Sequence, residues 1–329
     1  MKKVAKLSAR DRADLFSETA RGKGITAAAA EKDFWICWVL LCIFEHPLLN
    51  KVLRFKGGTS LSKCFNLIER FSEDIDLILD WSAVTGEDPQ ATRTKAQQTK
   101  LNKQINIDAQ QYIQETILPA LKDNMGEVCE LVIDDADKHT IKVRYPAEHN
   151  DQYLRNEILL EIGPLANMLP FGTYSITPYA AEVFPHLFET PQAKVDAIVA
   201  HRTFWEKITI LHAEAHRPEE KPQPSRYSRH YYDIYRMLGS HVEQIALENL
   251  TLFDDVVAFK KKFYYVKWVR YDLATLSTLK LTPTAVVKAS LKKDYAEMRD
   301  MIFGEYVDFD VMMDDIAEFE KRLNALERN

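Results

Sequence analysis

Residues 54–79, RFKGGTSLSKCFNLIERFSEDIDLIL, constrain this chain more than any other stretch. The short segment 52–56 reads as a strand and is broken by Gly57 and Gly58. Thr59 or Ser60 can then cap a helix through Leu61, Phe65 and Ile68. In a second strand over 75–79, carboxylates and aliphatics alternate. A strand that runs through bare glycine backbone into a helix presents N–H groups suited to phosphate oxygens, and Ser60 adds a hydroxyl there. Asp74 and Asp76 lie two apart on an extended chain, so both leave one face, roughly 7 Å apart along the strand. Such a face suits a divalent cation, because magnesium prefers a few carboxylates plus substrate phosphates to a complete protein cage.

The other features frame this pair of motifs. At 329 residues and 46% hydrophobic, the chain has length enough for one large domain or two ordinary ones. The longest apolar stretch, FWICWVLLCIF at 34–44, is far short of the roughly 20 residues that span a bilayer and reads as a buried helix. The N-terminus is basic but lacks the apolar core of a secretory signal, which points to the cytoplasm and away from the membrane. Cysteines 37, 42, 64 and 129 form neither a CxxC pair nor a disulfide framework and read as reduced, mostly buried thiols. A net charge of -6 argues against indiscriminate binding to a phosphate backbone, so any nucleic-acid partner must be met by local patches.

The pattern along the chain is α+β. Helices are expected at 8–19 and 26–44, and a polar connection over 81–105 leads into a helix at 107–121. Strands are expected at 130–133, 139–145 and 158–162, with an extended piece at 173–184 and a hinge at 185–191. From Lys194 onward nearly everything suits helices, interrupted by the Pro-rich loop 216–226. The expected architecture is a mixed sheet flanked by helices over residues 1–190, followed by a mainly helical domain over 191–329. The acidic run at 308–323 reads as a capped amphipathic helix, since the glycine and ligand spacing of a calcium loop are absent.

Gly-Gly before a helix, followed at this spacing by DxD on a strand, resembles the signature of the polymerase-beta-like nucleotidyltransferase superfamily. EKDFW at 31–35, FKGGTSLSK at 55–63, RFSEDIDL at 70–77 and RTFWEKI at 202–208 together resemble the AbiEii abortive-infection toxin family, in order and spacing across most of the chain. The resemblance implies that Gly57, Gly58, Thr59 and Ser60 bind nucleotide, that Asp74 and Asp76 hold metal, and that Lys207 and Asp233 from the helical half complete the site. It also implies a toxin of a toxin–antitoxin or phage-defence system, with a nucleoside triphosphate as substrate and magnesium or manganese as cofactor. The acceptor would be RNA such as a tRNA 3' end, and a cognate antitoxin protein would oppose the toxin. Many members of the superfamily carry a third carboxylate on a later strand. Glu161 is the best-placed candidate for that metal ligand here, with Glu157 the other possibility and a solvent-facing strand end the plain alternative.

Read from the residues alone, Lys207 can neutralise triphosphate charge, with Arg202 five positions earlier, or can sit with Glu206 on a solvated face. Asp233 can orient Lys207, act as a base toward an incoming hydroxyl, or pair with Arg229 four positions back. Histidines 212, 216 and 230 can touch a base or satisfy local hydrogen bonds. KKKFYYVKWVRY at 260–271 interleaves cations with aromatics, which suits RNA backbone contact with stacking and equally a helix with a basic outer and an aromatic inner face. Two rivals remain: transfer of the nucleotide to a protein side chain, and a nucleotide-binding regulator without turnover.

Overall fold

The computed structural model describes residues 1–151 and 154–326. The chain divides into two compact units, one of residues 1–65 with 71–198, the other of residues 66–70 with 199–329.

The first unit is built on a seven-stranded mixed sheet: β1 (Leu53–Lys56), β2 (Ile75–Leu79), β3 (Glu130–Ile133), β4 (Thr140–Arg144), β5 (Glu157–Gly163), β6 (Phe171–Ile176) and β7 (Ala193–Ile198). Their order across the sheet is β3-β4-β5-β2-β1-β7-β6. β1 runs antiparallel to β2, while β1–β7 and β2–β5 are parallel. Side-chain alternation gives the central strands two unlike faces. Phe55, Ile75, Leu77, Leu160 and Ile162 are buried on one face, where they form core. On the other, Lys56 stands opposite Asp76, Asp76 opposite Glu161, and Glu161 opposite Thr140, so one polar row crosses four strands.

The helix Ala27–Glu45 is capped by Thr26, whose hydroxyl accepts the Ala29 N–H, and residues 28–44 are buried throughout. No helix among the described residues is long and apolar enough to cross a membrane. Cys37, Cys42 and Cys129 are buried, and burial pushes the thiols of Cys42 and Cys129 up to about 12.

Several sequence expectations are corrected. The helix after β1 is Gly57–Lys63, shorter than expected, because Asn66 turns into the left-handed region at φ 52. Thr59 and Ser60 lie inside its first turn and do not cap it. Part of the polar connection is a helix, Lys95–Tyr112, opened by a reciprocal Thr94–Gln97 capping box. Its inward stripe, Gln98, Leu101, Ile105 and Ala109, is too narrow to register as apolar periodicity. The extended piece ends at Ile176 and gives way to a short helix, Tyr179–Val183. Residues 185–187 are a 3-10 turn, and the strand β7, Ala193–Ile198, covers the start of the stretch expected as helix from Lys194 onward.

The second unit packs the helices Ala200–Ala215, Ser228–Met237, His241–Glu248, Leu250–Phe263, Ala285–Glu297 and Phe309–Asn324. The last is the amphipathic helix expected from the acidic run, with Asp308 accepting the N–H groups of Asp310 and Val311.

Candidate active site

In the first unit the turn after β1 meets Asp76 of β2, while Asp74, expected on the strand, lies just before its first residue. Gly57 has φ +81, a conformation that side chains rarely adopt, and a Cβ built there would lie 1.9 Å from Asp76 Oδ2. The Asp76 carboxylate thus rests directly on the bare backbone of the turn, a space any side chain would fill. No side chain caps the helix Gly57–Lys63, and the leading N–H groups of a helix have no partners within it. Thr59 Oγ1 donates to the Asp74 carbonyl oxygen at 2.5 Å, tying the turn to the approach of β2. Ser60 Oγ donates to the Gly57 carbonyl oxygen at 2.8 Å and is fully buried. Both hydroxyls therefore brace the turn.

Glu161 is exposed and directly opposite Asp76 across β2 and β5. Glu157, two pleats away, faces Arg144, whose Nε lies 3.5 Å from its Oε2. Among the described residues no three His, Cys, Asp or Glu side chains converge closely enough to hold a metal ion. The residues present still fit magnesium, which commonly takes one or two carboxylates and leaves its other positions to water and substrate phosphates. Asp76, against the turn, and Asp74, just before the strand, are such a donor set.

The second unit holds Lys207 and Asp233 as one buried cluster. Lys207 Nζ lies 2.8 Å from Asp233 Oδ2. Arg70 grips the same carboxylate with both prongs, Nε to Oδ1 at 2.7 Å and a terminal nitrogen to Oδ2 at 2.8 Å. Asp233 is 0% exposed, Arg70 5% and Lys207 6%, which excludes the solvated-face reading of Lys207. Burial alone would raise the Asp233 pKa, but Arg70 and Lys207 more than offset it and hold the carboxyl well below the usual range. Burial lowers the Lys207 pKa, opposed by Asp233, and His230, whose Nδ1 lies 3.4 Å from the ammonium, is held neutral by burial and by that cation. The partners of Asp233 are thus Arg70 and Lys207, and the pairing with Arg229 is replaced. Arg202 lies apart, bonded to Glu206 at 3.2 Å and Asp255 at 2.9 Å. His212 is likewise committed elsewhere, between the 270 and 280 segments.

Sequence reasoning missed Arg70, although RFSEDID was in view. It also missed Lys56, which the register alone places opposite Asp76. Their signal is tertiary: neither the partner of an arginine nor the register of a strand can be read from spacing.

A strand-borne aspartate set against a Gly-Gly turn on a mixed sheet brings a cation-binding carboxylate beside a turn open to phosphate, the pairing that nucleotide transfer needs. Residues 38–323 match the family described as nucleotidyl transferase AbiEii toxin, type IV toxin–antitoxin system, and the chain belongs to that family. It is accordingly a nucleotidyltransferase, with a nucleoside triphosphate as substrate and an antitoxin as its counterpart. Among solved structures it is similar to MenT4, a nucleotidyltransferase toxin from Mycobacterium tuberculosis H37Rv, at 15% identity over 98% of this chain and 100% of that one, with a TM-score of 0.44. No curated protein matches. The assignment rests on the family match.

Proposed function

We propose that this toxin transfers a nucleoside monophosphate from a triphosphate to an RNA hydroxyl, with Asp74 and Asp76 holding the divalent metal. The acceptor oxygen attacks the α-phosphorus in line, its proton passes to solvent water, the bond to the bridging oxygen of pyrophosphate breaks, and pyrophosphate leaves. A bound magnesium or manganese ion would supply charge stabilisation for the attacking and leaving oxygens. The observation that carries this reading is the Asp76 carboxylate lying on the Gly57 backbone, which sets the cation-binding face and the phosphate-binding turn side by side. Gly57 and Gly58 are assigned the phosphates, while Thr59 and Ser60 hold the turn in shape. Glu161 is kept as an outer carboxylate of the same face.

Lys207 is kept, on the family resemblance alone, as the cation for triphosphate charge, and within its own unit its ammonium is engaged by Asp233 at 2.8 Å. Asp233 has both oxygens committed and its pKa depressed, which makes it a poor proton acceptor and suits it to holding Lys207 and Arg70. An RNA acceptor is supported by residues 260–271. The helix ends at Phe263, leaving Tyr264 43% and Tyr265 56% exposed beside Lys260, Lys261 and Lys262. The Trp268 ring has Arg217 at 5.0 Å and Lys221 at 5.4 Å from its centroid. Exposed aromatics among cations suit unpaired bases and their phosphates. A tRNA 3' end is such a strand, and action on it in the cytoplasm accords with a toxin's role in phage defence.

The double variant D74A/D76A tests the metal assignment. It should stay folded by circular dichroism and lose metal-dependent turnover of nucleoside triphosphate. Retained turnover with an unchanged spectrum would sink it.

A further inference from the structure

Three consecutive charged residues, Glu31, Lys32 and Asp33, sit inside the helix Ala27–Glu45 at 1%, 1% and 3% exposure. Stability does not account for them, because buried ion pairs are often no better for stability than apolar groups of the same shape. Direction does. Successive helical residues point about 100° apart, so the three side chains fan out to three different segments.

The Glu31 carboxylate accepts the Glu148 N–H at 2.9 Å and the His149 N–H at 2.9 Å. Lys32 Nζ donates to Glu73 Oε2 at 2.8 Å and to the Arg155 carbonyl oxygen at 3.0 Å. Asp33 takes the Lys63 ammonium at 2.7 Å on one oxygen and the Tyr179 N–H at 2.6 Å on the other. Glu73 immediately precedes Asp74, and Lys63 is the last residue of the helix that Gly57 opens. All these residues lie in the first unit.

We propose that Lys32 and Asp33 are positioning residues of the nucleotidyltransfer site, fixing from one rigid helix both the Gly57–Lys63 helix and the Asp74–Asp76 approach. The proposal rests on the reading of that site given above. Packing alone would leave each motif free to shift on its own strand or helix. The Lys32–Glu73 and Asp33–Lys63 pairs reference both motifs to the same helical turn, and the Thr59 bond to the Asp74 carbonyl closes the loop between them. Lys32 and Asp33 thus act through Glu73 and Lys63 and touch no reacting atom.

The test removes both charges of a pair. K32M/E73L keeps comparable volume and leaves no lone buried charge, and D33N/K63M is read in the same way should the first fail to fold. In the full chain, kcat for nucleotide transfer should fall about tenfold to a hundredfold, the loss expected when reacting groups are displaced by about 1 Å. KM for the triphosphate should change little, and half-maximal turnover should need several times more magnesium. A loss of folded protein would lower kcat but would leave that magnesium requirement unmoved. Folded variants with wild-type kcat and magnesium dependence overturn the positioning role while leaving the site intact. If D74A/D76A transfers nucleotide as well as the wild type, the site itself is misassigned and the positioning role falls with it.

Discussion

Gly57 carries the sharpest requirement in the molecule. Its φ of +81 disfavours any side chain, and a Cβ would strike the Asp76 carboxylate at 1.9 Å. Gly57→Ala should therefore displace Asp76 and lower kcat by about a hundredfold, and the measurement is steady-state turnover beside a thermal melt showing the protein folded. Asp233 carries a different requirement. With Arg70 and Lys207 both buried against it, Asp233→Asn strands two cations and should destabilise the protein by about 3–5 kcal/mol, read from denaturant unfolding. At this scale the sequence was informative about residue type and silent about partners. GGTS and DID name themselves, but the pairing of Arg70 with Asp233 spans 163 positions and leaves no local trace.

Among the elements, the legible ones were those whose burial pattern is simple. β2 and β3 have the bounds expected, and the helix Ala27–Glu45 begins at the cap its sequence advertises. The missed ones obey a rule that spacing does not carry. Lys95–Tyr112 buries a thin stripe under a polar surface, and β7 became a strand because β1 and β6 pair with its two edges, which makes it sheet interior. In the second unit, His212 links the helix Ala200–Ala215 to two later segments. Its Nδ1 accepts the Lys280 N–H at 3.2 Å, so its Nε2 carries the proton and donates to the Arg270 carbonyl oxygen at 3.1 Å. Burial, reinforced by His216, pushes its pKa down to about 4. The neutral form is the folded form, so stability is unaffected above the unfolded value of about 6.5 and is lost as pH falls toward 4, by about 3 kcal/mol in all. Asp233 adds its own loss only as pH falls through its ordinary value of about 3.8, where the unfolded chain takes up the proton, whereas His230, also held neutral, loses stability in the same window as His212. Unfolding free energies at pH 7 and pH 4 should show the drop in the wild type and a smaller one in His212→Gln.

For the molecule as a whole, the family fixes a nucleotidyltransferase toxin of a type IV system, and the site geometry carries the proposal from there to metal, nucleotide and acceptor. The sequence made the turn and the carboxylates of the first unit easy to find because they are close together in the chain. The Arg70–Lys207–Asp233 cluster was half visible, its lysine and aspartate through family resemblance and its arginine through structure alone. The acceptor is the furthest step and the one that gives the toxin its effect. The most direct test incubates the purified protein with magnesium, each α-labelled nucleoside triphosphate in turn and total cellular RNA, resolved on a denaturing gel. Label in a tRNA-sized band, absent from D74A/D76A, is the predicted result and names the nucleotide. Label on protein with none on RNA, or equal labelling by the double variant with an unchanged circular dichroism spectrum, would contradict it.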